Sequence, residues 1–342
     1  MRDTIDFTDH LEQLSTSAWA YAALATALEL GMLERLVEPI SEQALARDCG
    51  IETELVADII EALAVIGAIE RRDELLAPSP SFAMLLSPSP AKVLRAEIRS
   101  DHLQTRDLLR RAREGQPLCG WDTEDPVALT AQGETGSLIG FLVEALLPGL
   151  GDLDERMAQP GARILDVGAG VGVVSIELCR LWPQAEAVGL EPHRTARELG
   201  RSRVAAAGLS DRIAFRDERV EMLGERAAYD LAFLPQPFLR PEAIELGLPR
   251  IRRALRPGGR LIVLTSELPE GAPLTAAARR FRARVWGGGA IDSGQLPAAL
   301  TDAGFEAVRD EHPIGSFRAV CAQRPTAPVG GWRVDRGELS GS

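Results

Sequence analysis

The chain has 342 residues, 45% of them hydrophobic, and 38 basic against 50 acidic side chains give it a net charge of −12. That length supports two domains with separate cores, and the acidic balance is the wrong sign for neutralising many phosphates, which excludes nucleic acid as the expected partner. Four cysteines, Cys49, Cys119, Cys179 and Cys321, lie far apart without a CxxC pair, so neither a metal site nor a disulfide framework is expected and a reducing, cytoplasmic setting fits.

The first residues, MRDTIDFTDHLEQL, are too acidic for a signal peptide, and no stretch stays apolar for the ~18 residues of a membrane span. An unexported protein with no membrane partner is expected. From Ser15 to about Arg113 the pattern is helical. TSAWAYAALATALELGMLERLV carries Trp19, Leu28, Met32 and Leu36 at helical spacing, and SEQALARDCG opens on a capping Ser41 and closes on Gly50. ETELVADIIEALAVIGAIE follows, with an expected apolar face of Leu55, Ile59, Ala62, Leu63 and Ile66. AIERRDELLAPS then reads as a two-stranded wing, so three helices and a hairpin suggest a winged helix. More helical pattern fills residues 80–160, broken by SPSP and CGWDTEDP.

After Gly161 the chain alternates short apolar runs, RILDV, AEAVGLE, RIAFRD, YDLAFLP and GRLIVLT, with amphipathic stretches. That alternation predicts an α/β domain built on a doubly wound parallel sheet. The tail beyond residue 323 is rich in Pro, Gly and Ser and reads as a loose end.

The run DVGAGVG places Asp166 before glycines 168, 170 and 172, between a strand and a helix. Such a turn lets a ligand approach the backbone at the carboxyl end of a sheet. Val173 stands where a dinucleotide fingerprint needs its third small residue, and no GK[ST] follows, which excludes a P-loop. The pattern resembles the first motif of class I S-adenosylmethionine-dependent methyltransferases. Glu191, ending AVGLEP, and Asp217, in FRDE, fall at the tips of the next two strands, and ALRPGGRLIVL resembles the family's fifth-strand region. The resemblance implies a seven-stranded, mostly parallel Rossmann-like sheet that binds S-adenosylmethionine. Asp166 and glycines 168, 170 and 172 would line the methionine side, Glu191 the ribose and Asp217 the adenine, with Leu234 at the end of the fourth strand. The plain alternative is that the three acids are solvated strand ends.

The stretches ALELGMLERL and SEQALARDCGIETELVADIIEALAVIGAIER resemble the winged-helix dimerisation domain of small-molecule O-methyltransferases. This implies a dimerisation domain over 1–95, a helical linker and substrate cap over 96–160, a methyltransferase domain over 161–323 and a flexible tail over 324–342. It also implies a homodimer through the N-terminal region and a small-molecule acceptor, aromatic or polyketide-like. Apolar residues spread around the first helix, Trp19, Tyr21, Leu24, Leu28, Leu30 and Leu33, fit such pairing. Glu52, Glu54, Asp58 and Glu61 on the would-be recognition helix would repel phosphate.

One departure bears on chemistry. The family usually carries a general-base His after the fourth strand, and this chain has FLPQPFLRPE there, with Phe238 and Leu239 unable to accept a proton. His102 is the remaining candidate base, or an ordinary surface His; Gln236 either bonds at the site or caps the strand; Trp286 and GGGAID fall where acceptor-side loops are expected, or form a plain turn. The expectation is methyl transfer, O-methylation first, driven mainly by proximity. N- or C-methylation, another reaction on the same fold, ligand binding alone and transcriptional regulation are the alternatives.

Overall fold

The computed structural model describes residues 7–115, 123–266, 271–288, 295–314 and 317–326. The chain divides into two compact units, one formed by Met1–Arg106 with Glu134–Leu138 and the other by Asp107–Gly133 with Ile139–Ser342. The division falls inside a continuous helix, and the expected boundary at residue 95 lies within that helix too.

The first unit begins with α1 (Phe7–Glu29), α2 (Met32–Arg35), α3 (Glu42–Cys49) and α4 (Thr53–Val65). The hairpin β1 (Ile69–Arg72) and β2 (Leu75–Pro78) follows, then α5 (Pro80–Leu85) and α6 (Pro88–Arg113). Gly31, at φ 65°, interrupts what the sequence presents as one helix and turns the chain from α1 into α2. Ser41 caps α3 by accepting the Ala44 amide, and Gly50 ends it in the left-handed conformation. Strands β1 and β2 pair antiparallel, and Ile40 bridges to Leu76 beside them. This is the helix-and-wing arrangement that the pattern implies.

The apolar face of α4 is displaced from the expected one. Val56, Ile59, Ile60 and Leu63 are buried, while Leu55 and Ile66 are exposed. Leu55 and Ile66 lie at the rim of the apolar stripe, and packing against Leu28, Met32 and Leu45 selects its centre. In α1, residues 7–19 are exposed throughout, Phe7, Leu11, Leu14 and Trp19 included, and only Ala27 and Leu28 are buried. Glu52, Glu54, Asp58 and Glu61 all face solvent.

The second unit continues with α7 (Pro126–Glu134), α8 (Ile139–Leu146), α9 (Leu153–Met157), β3 (Arg163–Val167), α10 (Val173–Leu181), β4 (Glu186–Leu190), α11 (Arg194–Ala206) and β5 (Ile213–Arg216). It ends with β6 (Tyr229–Pro235), α12 (Pro241–Ala254), β7 (Leu255–Ser266), α13 (Pro273–Trp286), α14 (Gln295–Asp302), β8 (Glu306–Ile314) and β9 (Phe317–Gln323). Seven strands form one sheet in the order β5-β4-β3-β6-β7-β9-β8. The first five of these are parallel, and β9 joins them antiparallel to β7 and β8.

Alternation along the strands makes two cores. Ile164, Ala187, Leu231, Phe233 and Ile262 face one side, under α8, α9 and α10. Leu165, Val188, Ala232, Leu234 and Val263 face the other, under α12 and α14. The strand order reverses at β3, and an open parallel sheet presents its ligand crevice there, at the carboxyl ends. Residues 324–326 of the expected tail are described, and 327–342 lie outside the described residues. Among the described residues no helix is long and apolar enough to cross a membrane, and no cluster of His, Cys, Asp or Glu is arranged to hold a metal.

Candidate active site

Beyond Val167 the chain turns through Gly168, Gly170 and Gly172, at φ 66°, 54° and 79°, and enters α10. Left-handed backbone at all three positions is why the turn is written in glycine. The Ala169 amide donates to Leu190 O at 3.0 Å, which ties the turn to the end of β4. A Cβ at Gly168 would meet only Leu239 Cδ1 at 3.8 Å, and one at Gly170 only Gly168 O at 4.0 Å. These two glycines border open space. Gly172 serves packing instead: a Cβ there would lie 2.6 Å from Cζ of Phe215, whose ring sits in a cradle made with Gly189 and Gly200.

Asp166, 1% exposed, lies beneath the turn and accepts the Ser175 hydroxyl at 2.6 Å, joining β3 to the first turn of α10. Burial pushes its carboxyl up to about 7; the Ser175 hydrogen bond opposes the rise and the Glu191 charge adds to it. Glu191 stands at the tip of β4, and each of its oxygens is fixed by one amide: Gly170 N–H on Oε2 and His193 N–H on Oε1, both at 2.8 Å. Burial raises this carboxyl as well, against the lowering effect of those two amides and of the charges on His193 and Arg197. A carboxylate has about four acceptor positions, so both oxygens keep capacity for a vicinal diol.

Asp217, beyond β5, is largely exposed and receives Arg197 Nη2 at 2.8 Å. His193 caps α11 by accepting the Ala196 amide on Nδ1 at 3.3 Å. Glu124 reaches the same helix start, accepting the Thr195 hydroxyl at 3.1 Å. From α7, Leu129 packs against Val171, Val173 and Ala196 over the glycine turn, and Gly133 leaves room for the Val171 side chain, 2.2 Å from where a Cβ would stand.

The turn after β6 differs from a proton-accepting site. Phe238 stacks on Trp286 with ring centroids 4.7 Å apart and planes at 22°, and the Arg282 guanidinium lies 5.0 Å from the Trp286 centroid. The Gly288 amide donates to Pro237 O at 3.0 Å, and a Cβ at Gly288 would strike that backbone. Gln236 is buried and accepts the Thr265 hydroxyl at 2.8 Å. Leu234 is 0% exposed and belongs to the core under α12 and α14. Its side chain therefore packs in the same core as Val167 and Leu190, at the end of the strands where the cofactor is expected. His102 lies exposed on α6, in the first unit. Of GGGAID, only Gly287 and Gly288 fall among the described residues.

The structure therefore brings Asp166, the three glycines, Glu191 and Asp217 to one edge of the sheet. Sequence reasoning did not single out Ser175, Arg197 and Phe215, which contact Asp166, Asp217 and Gly172, or Thr265, which bonds to Gln236. Only Ser175 left a signal, a hydroxyl in the first turn of a helix that follows a buried acid.

Residues 164–259 match the family described as a methyltransferase domain. The chain is an S-adenosylmethionine-dependent methyltransferase. It is 25% identical over 283 residues to phenazine O-methyltransferase PhzM of Lysobacter antibioticus, a match covering 76% of this chain and 79% of that one. A second relative, precorrin-6Y C(5,15)-methyltransferase of Mycobacterium tuberculosis, is 30% identical over 184 residues, which span 52% of this chain but 39% of that protein. Human N-acetylserotonin methyltransferase, solved with S-adenosylmethionine, shares the fold with a TM-score of 0.68 at 18% identity, over 95% of this chain and 100% of that one. The chain thus resembles small-molecule O-methyltransferases with a helical N-terminal domain along most of its length. Open space over Gly168 and Gly170 and the doubly anchored Glu191 suit S-adenosylmethionine.

Proposed function

We propose that this methyltransferase methylates a small-molecule acceptor at oxygen, in natural-product biosynthesis, and works mainly by proximity. The observation that carries this reading is the Phe238–Trp286 stack at the turn where the family's base is expected. Neither ring accepts a proton, and an aromatic pair at this turn suits an apolar, planar acceptor better than one that needs a base there. S-adenosylmethionine supplies an electrophilic methyl group. The chain's own residues hold the two partners: Gly168 and Gly170 take the methionine side, Glu191 the ribose hydroxyls and Asp217 the adenine edge, while Asp166 and Gly172 fix the turn from below. Alignment of acceptor and methyl carbon at ~3–3.5 Å supplies several kcal/mol by itself. Gln236, locked to Thr265, fixes the end of β6. His102 is the candidate base if the acceptor needs one.

The same stack favours a second reading, methylation of nitrogen or of a stabilised carbanion, and the match to a C-methyltransferase over half the chain supports it. The exposed apolar residues of α1 support a homodimer through the N-terminal unit. The test is incubation with methyl-labelled S-adenosylmethionine and a panel of phenols, amines and carbon acids. Label entering a phenolic oxygen supports the first reading and label on nitrogen or carbon the second. No label in any acceptor, with S-adenosylhomocysteine still bound, sinks both.

A further inference from the structure

We infer that Arg197 is a positioning residue for adenine recognition, holding the tips of β4 and β5 in register through one guanidinium. Its Nη1 donates to Glu191 O at 2.8 Å and its Nη2 to Asp217 Oδ2 at 2.8 Å. The residue is 7% exposed, and its Nε is buried without a hydrogen-bond partner. Leaving a guanidinium N–H unpaired is unfavourable, so the side chain is arranged around the two strand tips rather than around its own full satisfaction.

The helix explains how it gets there. Arg197 stands four residues beyond the His193 cap, and its amide donates to His193 O at 3.0 Å. Long side chains on a helix lean back toward its start, which returns the guanidinium to the sheet edge. A planar fork reaches two acceptors in fixed geometry, and a lysine ammonium does not. Asp217 has no comparable restraint from its own strand, being largely exposed. Without Arg197 its carboxylate would sample the rotamers open to a surface aspartate. The inference rests on the proposed role of Asp217 at the adenine edge.

The test compares S-adenosylhomocysteine with S-inosylhomocysteine, whose 6-oxo group cannot donate to a carboxylate. Affinities are measured by calorimetry for wild type, Arg197→Met, Arg197→Lys, Asp217→Ala and the Arg197→Met/Asp217→Ala double variant. Wild type is expected to prefer the adenine ligand by tenfold or more, the size of one charge-assisted hydrogen bond. Arg197→Met and Asp217→Ala should each lose most of that preference, and the double variant should lose no more than the worse single one. Arg197→Lys, which keeps the charge and guards against a misfolded Met variant, should lose it too. If Asp217→Ala abolishes the preference while Arg197→Met and Arg197→Lys retain it, Arg197 is only structural and the inference is wrong. A preference unchanged in Asp217→Ala overturns the adenine role of Asp217, and this inference with it.

Discussion

Glu191 and Gly170 are joined by a 2.8 Å hydrogen bond from the glycine's amide to the carboxylate, so the turn after β3 and the tip of β4 form one unit. The acid that would hold a ribose also fixes the loop that would receive the methionine end. Glu191→Ala is therefore expected to weaken S-adenosylhomocysteine binding by about 1.5–3 kcal/mol, the usual loss for a hydrogen bond to a charged group. Calorimetry checks it, and an unchanged affinity would show that another acid holds the sugar.

Asp166 links the site to pH. An unfolded aspartate titrates near 3.9, and in the folded protein burial pushes this one up to about 7. Between those values the folded chain keeps a proton that the unfolded chain has released, so this residue's contribution to stability falls as pH rises through that window and levels off above it. Asp166→Asn cannot ionise. The melting temperature of the variant relative to wild type should rise steadily from about pH 5 to about pH 7.5. A difference that stays constant across that range would refute the assignment.

The three glycines of the turn should not respond alike. An alanine Cβ at Gly172 meets Phe215 at 2.6 Å in addition to the cost of φ 79°, whereas at Gly170 it meets open space. Gly172→Ala should lose about 1–3 kcal/mol more stability than Gly170→Ala in denaturant titrations, the range for an overpacked core. Adding Phe215→Leu should recover part of the excess. Equal losses at the two glycines would mean that the ring yields without cost.

His102 separates base catalysis from proximity. Loss of a general base slows a reaction typically ~10²–10⁴-fold, and the proximity reading predicts that His102→Ala slows methyl transfer by less than about tenfold at unchanged acceptor affinity. A larger fall at constant affinity would make His102 the base; a fall accompanied by lost acceptor binding would make it a pocket residue.

The surface of α1 predicts assembly. Phe7, Leu11, Leu14 and Trp19 are each more than half exposed, and a two-fold partner would cover them. Light scattering at micromolar concentration should return a dimer, shifted toward monomer by Trp19→Glu. A wild-type monomer across that range rules the pairing out.

What the sequence determined is local and periodic. The alternation of RILDV and YDLAFLP fixes strands buried on both faces, and three glycines after an acid fix a left-handed turn, because those signals arise from backbone sterics and burial within a few residues. The acids at the strand tips could be named for the same reason: each follows its own apolar run. Tertiary packing decided the rest. It separated Gly168 and Gly170, which border open space, from Gly172, which makes room for Phe215, a residue forty-three positions later in the chain. It placed Asp166 below the turn, on Ser175, and turned Leu234 into the core. It chose Val56 and Ile60 over Leu55 and Ile66 as the buried face of α4, and it set Phe238 against Trp286. Each of these depends on contacts between segments far apart in the chain, and no local periodicity records which distant side chain will fill a given space.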